Sequence, residues 1–169
     1  MARMRAPSHR PAALLTVLAA GAALGAALGA QAWGGLVPCA LCLLERWPYR
    51  IVIGLGVLAL LLPRRAGRAL LWLALLAMLA SAGLACVHVG VEWGLWPSPL
   101  PECAAPQIAP GSVAHMLAEL PALPSKPCDA PTYLIPWLPV SMAAMNLIYA
   151  LVFAALLANW LTGRSRRRR

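Results

Sequence analysis

Residues 39–63 read CALCLLERWPYRIVIGLGVLALLLP, and the fold turns on how this segment is placed. Only Ile51 to Leu62 is free of charge before Pro63, too short to cross a bilayer that takes about 20 apolar residues in a helix. A helix of bilayer length must start between Cys39 and Leu43, so it carries Glu45, Arg46 and Arg50 in its outer turns. Ionisable groups at that depth are costly and usually functional, although Arg50 can snorkel outward. Pro48 lacks a donor and its ring presses on the preceding turn, so a kink is expected there.

Working outward, the 169-residue chain is 62% hydrophobic and only 11% charged, with a mean hydropathy of +0.74. Soluble domains carry about 25% charged residues, so a soluble globular enzyme, a disordered tail and a disulfide-rich secreted mini-protein are all excluded. Three further apolar runs, 12–33, 69–91 and 137–161, join 43–62. The reading is a single all-α membrane domain over 1–169, a bundle of four transmembrane helices, with outer loops at 34–42 and 92–136.

The net charge of +9 is a topology signal rather than a nucleic-acid signal. Its basic patches are Arg3, Arg5 and Arg10, then Arg64, Arg65 and Arg68, then Arg164 and Arg166 to Arg169, each beside an apolar run. Every acidic residue (Glu45, Glu92, Glu102, Glu119, Asp129) falls in the alternate segments. The positive-inside rule then puts both termini in the cytoplasm of a bacterial-type inner membrane, and no nucleic-acid partner is expected. Trp33, Trp47, Tyr49, Trp93, Trp96, Tyr133 and Trp137 all come at the outer boundary, as an aromatic belt would.

Gly21, Gly25 and Gly29, flanked by alanines, form a small-residue face suited to close helix packing. Ala30-Gln31-Ala32 resembles a signal-peptidase site, but the apolar run before it exceeds a signal-peptide core, so it reads as a retained span. The outer loop 92–136 is rich in proline, as an extended, mobile segment would be. Within it Val113, Met116, Leu117 and Leu120 recur at helical spacing, so 111–120 is expected to form a short amphipathic helix lying on the membrane.

Four of the five cysteines, Cys39, Cys42, Cys103 and Cys128, fall on the outer face, the oxidising periplasm in which disulfides persist. Cys39-Ala40-Leu41-Cys42 is a C-x-x-C at the start of the second span. A helix N-terminus and a nearby cation both favour the reactive thiolate. In a continuous helix Arg46 shares the face of both sulfurs, where its guanidinium would stabilise a Cys42 thiolate or a reduced acceptor. Four cysteines could hold zinc, but a structural site wants two close pairs on a rigid knuckle, and Cys103 and Cys128 are separated by the proline-rich loop; no metal is expected. Inert structural disulfides are the bland alternative. Against it, a short-loop C-x-x-C disulfide is generally of the labile, catalytic kind. Cys86 within the third span reads as a small buried hydrophobe, and His88, level with the C-x-x-C, as a candidate ligand contact.

Electrons collected by thiol exchange need a final acceptor. The chain has no Rossmann glycine pattern, no phosphate loop and no haem-attachment motif, so no nucleotide cofactor is expected. By elimination the acceptor is a lipid-soluble quinone docking beside Cys42 and Arg46.

The run Pro38-Cys39-Ala40-Leu41-Cys42-Leu43-Leu44-Glu45-Arg46 resembles the P-C-x-L-C-x-x-E-R signature of the DsbB family. Further likeness lies in His88-Val89-Gly90-Val91-Glu92, in Trp96-Pro97-Ser98-Pro99 ahead of Cys103, and in Ser141-Met142-Ala143 with Asn146 after Cys128. The resemblance implies an inner-membrane four-helix bundle that reoxidises the periplasmic thiol oxidase DsbA and reduces ubiquinone or menaquinone of the membrane quinone pool. It implies redox pairs Cys39–Cys42 and Cys103–Cys128. Cys103 would be attacked by the DsbA thiolate, Cys128 would relay to Cys39, and Cys42 would engage the quinone with Arg46 and His88 nearby. The vitamin K epoxide reductase family also combines four helices, quinone and two cysteine pairs, but there the membrane C-x-x-C follows the loop pair, whereas Cys39 and Cys42 come first here. A non-enzymatic membrane assembly protein held by two disulfides is the remaining alternative, in which no cysteine cycles.

Overall fold

The computed structural model describes residues 9–103, 126–135 and 137–166. Its helices are α1 (Arg10–Ala32), α2 (Ala40–Leu44), α3 (Arg46–Leu61), α4 (Arg64–Glu92) and α5 (Met142–Arg166), with a 3-10 turn at Pro101–Cys103 before the outer loop. Among the described residues there is no β-strand. Backbone polar groups in hydrocarbon must be satisfied within the segment, which leaves the helix as the way for one short chain to cross. Helices α1, α4 and α5 are long and apolar enough to do so. The expected amphipathic helix at 111–120 lies outside the described residues.

The segment 39–63 is helical but broken. α2 ends at Leu44 and α3 starts at Arg46, with Glu45 at the junction. Pro48 is the cause: it cannot donate to the Leu44 carbonyl and its ring crowds that turn, so the break falls one turn before the proline. The helix before the C-terminus starts at Met142 rather than near Trp137. Ser141 precedes it, accepting the Ala144 N–H at 3.2 Å and donating its hydroxyl to Glu92 at the end of α4.

The bundle is inside-out by soluble standards. Its core is dominated by small residues, Ala12, Ala13, Ala20, Ala59, Ala74, Ala82, Ala150 and Ala154, while leucines such as Leu15, Leu61, Leu76 and Leu156 are exposed. Lipid tails are as apolar as leucine, so helix association gains from close backbone approach rather than from burying large side chains. α1 packs on α3, α3 on α4 and α4 on α5, while α1 and α5 barely meet. That leaves a seam between the first and last helices.

Three sequence expectations change here. The Gly21/Gly25/Gly29 face is not a packing face: no atom would lie within 4 Å of a Cβ at Gly21 or Gly25. The close approach occurs instead at Gly56, where a Cβ would sit 2.6 Å from Val17 Cγ2 and 3.5 Å from the Ala13 carbonyl. Cys86 is exposed on the outer side of α4 rather than buried. Tyr49 leaves the aromatic belt for the core at 4% exposure, while Trp33 and Trp137 remain 92% and 81% exposed.

The outer end of α4 positions the chain that leads to Cys103. Trp96 folds back over Gly90 and donates its Nε1–H to the Val87 carbonyl at 3.0 Å. A Cβ at Gly90 would overlap the Trp96 ring. Gly90→Ala is therefore expected to displace Trp96 and cost about 1–3 kcal/mol of stability, the usual range for overpacking. Thermal unfolding in detergent, read through tryptophan fluorescence, checks it; an unchanged spectrum and midpoint would mean that the ring is not held there.

Candidate functional site

Cys39 caps the N-terminus of α2. Its Sγ accepts the Cys42 backbone N–H at 3.1 Å, and the two sulfurs are 2.7 Å apart as free thiols. Cys39 precedes α2 and the segment read as crossing the membrane. The contact with the Cys42 thiol, helped by the Cys42 N–H, holds the Cys39 thiol below its ordinary value despite burial. A lowered Cys39 thiol is in line with the general effect of a helix N-terminus on a thiol.

Arg46 follows Glu45, the residue at the junction of α2 and α3. The Arg46 guanidinium donates through Nη1 to Gln31 Oε1 of α1 at 2.8 Å. Arg46 is 9% exposed, and it still lines the same cavity as Cys42.

His88 comes from α4, with its Nε2 3.4 Å from Cys39 Sγ and its Nδ1 2.8 Å from Glu45 Oε1. The other carboxylate oxygen of Glu45 accepts Asn146 Nδ2 of α5 at 2.7 Å, and Asn146 Oδ1 accepts the Tyr49 hydroxyl at 2.5 Å. A connected polar chain thus runs from the Cys39 sulfur through His88, Glu45 and Asn146 to Tyr49. Buried polar groups in an apolar bundle need such partners, because an unpaired one there is expensive.

The cavity of about 310 Å³ occupies the seam between α1 and α5. Its wall on α1 is built from Ala22, Ala23, Leu24, Ala26 and Ala27, so the small residues of this stretch leave room beside α5. Cys42, Glu45, Arg46, Tyr49 and Asn146 give it one polar end. The Tyr149 hydroxyl donates to the Ala19 carbonyl at 2.9 Å across the seam.

On the other side of the pair, Cys103 and Cys128 form a disulfide with a Cα–Cα distance of 4.9 Å. It is buried in one cluster with Cys39, Leu41 and Val91, and the 3-10 turn rests on α2. Cys39, Cys42, Cys103 and Cys128 therefore come together, with Cys39 between the loop disulfide and the cavity side of the pair. Sequence reasoning left Gln31, Glu45, Tyr49 and Asn146 without a named partner at the site. The signal was present in each case as a polar side chain inside an otherwise apolar run.

A protein-family model described as disulfide bond formation protein DsbB matches residues 9–160. No curated protein and no solved structure matches the chain.

Proposed function

The chain belongs to the DsbB family of disulfide bond formation proteins, and on that premise we propose that it oxidises a periplasmic DsbA-type dithiol and delivers the electrons to a membrane quinone, ubiquinone or menaquinone. With three helices of spanning length it is a multi-pass membrane protein. In the proposed topology α2 and α3 together make a fourth crossing, both termini are cytoplasmic and the cysteines face the periplasm. The observation that carries the reading is the position of Cys42 on the wall of an apolar cavity with one polar end, while Cys39 packs beside the loop disulfide.

The electron balance fits that arrangement. The partner dithiol reduces the Cys103–Cys128 disulfide through a mixed disulfide at Cys103. The Cys128 thiolate then attacks Cys39 of an oxidised Cys39–Cys42 pair and releases Cys42, and completed exchange leaves Cys39 and Cys42 as a dithiol. A quinone takes up two electrons and two protons, matching what this dithiol gives up on closing its disulfide. In this reading Cys39 is the nucleophile for closure, and the adjacent His88 Nε2 takes the proton its thiol gives up. Arg46 has guanidinium donors beyond the one held by Gln31, and in this reading they hold a quinone carbonyl. Cys103 is 4% exposed, so the partner thiolate reaches it only when the loop disulfide lifts away from Cys39 and Leu41.

The test is anaerobic. Purified protein in detergent is mixed with a reduced DsbA-type protein and quinone absorbance is followed. Thiol oxidation matched by quinone loss is expected, whereas folded protein that oxidises no thiol with any quinone tried returns the reading to structural disulfides. In the same assay Arg46→Ala is expected to raise the quinone KM at least about tenfold, the loss of one charged hydrogen bond, with little change in the KM for the thiol partner. An unchanged quinone KM removes Arg46 from the site.

A further inference from the structure

We propose that the reduced Cys39/Cys42 pair and His88 form a three-donor site for a thiophilic divalent cation such as Zn²⁺ or Cd²⁺, and that the bound ion holds the pair out of redox exchange. The sequence argued against a metal held by four cysteines. This site needs only one cysteine pair, and its third donor comes from a different helix.

The geometry is close to what coordination requires. Cys39 Sγ, Cys42 Sγ and His88 Nε2 all lie within 4.8 Å of one another. In a tetrahedral zinc site with Zn–S of about 2.3 Å and Zn–N of about 2.0 Å, sulfur and nitrogen stand about 3.5 Å apart and two sulfurs about 3.8 Å. The Cys39–His88 separation of 3.4 Å already fits. The 2.7 Å sulfur–sulfur edge must open by about 1 Å, and the Cys42–His88 edge, within 4.8 Å, must settle at about 3.5 Å on the same geometry; Cys42 borders the cavity into which its sulfur can move.

The histidine is also held as a ligand would be. Glu45 Oε1 lies 2.8 Å from Nδ1, so a neutral ring donates that N–H to the carboxylate and leaves the Nε2 lone pair facing the sulfurs. Asn146 in turn fixes the second oxygen of Glu45 at 2.7 Å. A carboxylate behind a ligating histidine is the recurrent arrangement of protein metal sites, where it sets the tautomer and raises ligand basicity. Of the three donors Cys42 borders the cavity, the side from which a water would supply a fourth ligand. On binding, each thiol loses its proton to solvent and the two thiolates neutralise the ion; no electrons move. A Cys39–Cys42 disulfide offers no thiolate, so the ion selects the reduced state.

This inference does not rest on the quinone reading, because binding needs neither quinone nor thiol partner. The test uses the full-length chain with Cys86→Ser, Cys103→Ser and Cys128→Ser, so that the inner pair holds the only thiols, reduced anaerobically in detergent and titrated with Cd²⁺. One Cd²⁺ per chain is expected, seen as the ultraviolet charge-transfer band of a thiolate-bound ion, and no band after oxidation of the pair. His88→Gln and Glu45→Gln should each weaken binding at least about tenfold, the typical cost of disturbing such a histidine and the carboxylate behind it. A soluble disulfide should oxidise the loaded pair at least about tenfold more slowly until a chelator is added. Equal affinity in parent and His88→Gln, or a band in the oxidised protein, overturns the site. Should the variants not fold, X-ray absorption of Zn²⁺ on the reduced wild-type chain decides: nitrogen beside two sulfurs supports the site, and an all-sulfur shell or one lacking nitrogen overturns it.

Discussion

Cys42→Ser is expected to bring quinone reduction down to the uncatalysed background while leaving the first thiol-oxidation event intact. A serine hydroxyl has no disulfide chemistry, so electrons arriving at Cys39 have no route to the cavity. The Cys103–Cys128 disulfide is separate from this lesion. Mixed with excess reduced partner, the variant should therefore oxidise a single equivalent in a burst and then stop, whereas the wild type continues until quinone is exhausted. Quenching with acid and mass mapping of the trapped species adds the order of exchange: the partner should be found on Cys103. Adducts on Cys128 would reverse the loop relay, and continued turnover by Cys42→Ser would remove the inner pair from the electron path altogether.

What the sequence revealed, and what it hid, follows from the physics of an apolar bundle. The all-helical membrane character was legible because hydropathy is summed over long windows and few other structures tolerate such runs. The C-x-x-C with Glu45 and Arg46 was legible because its chemistry is local. Which face of a helix points inward was not. In water an amphipathic stripe marks the core, but between lipid and an alanine-lined interior the two faces carry nearly the same hydrophobicity. That is why Gly21 and Gly25 were assigned to packing and Cys86 to the interior, when Gly21 and Gly25 stand in open space and Cys86 is exposed.

The contacts of the polar groups were hidden for a second reason. Arg46 with Gln31, and Asn146 with Glu45, are pairings between helices far apart in the chain. A sequence shows that a polar residue in an apolar run needs a partner, but not which one. The break at Glu45 compounded this, because the i, i+4 rule that placed Arg46 under Cys42 holds only in an unbroken helix. Pro48 announced the break, but not that it would fall a turn earlier, between the sulfurs and the guanidinium.

Glu45 is where those lessons meet, and its removal carries the second large expected effect. It is 7% exposed at the junction of α2 and α3, and its two oxygens tie α4 through His88 and α5 through Asn146. Glu45→Ala leaves a ring nitrogen and an amide nitrogen buried without acceptors. Each unsatisfied group costs about 1–3 kcal/mol, somewhat less where a bilayer-embedded unfolded state finds other partners. A loss of about 2–4 kcal/mol follows on those figures, or about 5–15 °C in the unfolding midpoint of a chain this size. Glu45→Gln keeps one acceptor and the side-chain volume, so its midpoint should fall between that of the alanine variant and the wild type. The two readouts separate support from chemistry. If Glu45 acts by orienting His88 against Cys39, Glu45→Gln should slow closure of the Cys39–Cys42 disulfide by more than its stability loss accounts for, and a Glu45/His88 double-mutant cycle should show coupling of at least about 0.5 kcal/mol. Additive effects in that cycle, or an alanine variant that melts with the wild type, would leave Glu45 as a bystander at the helix break.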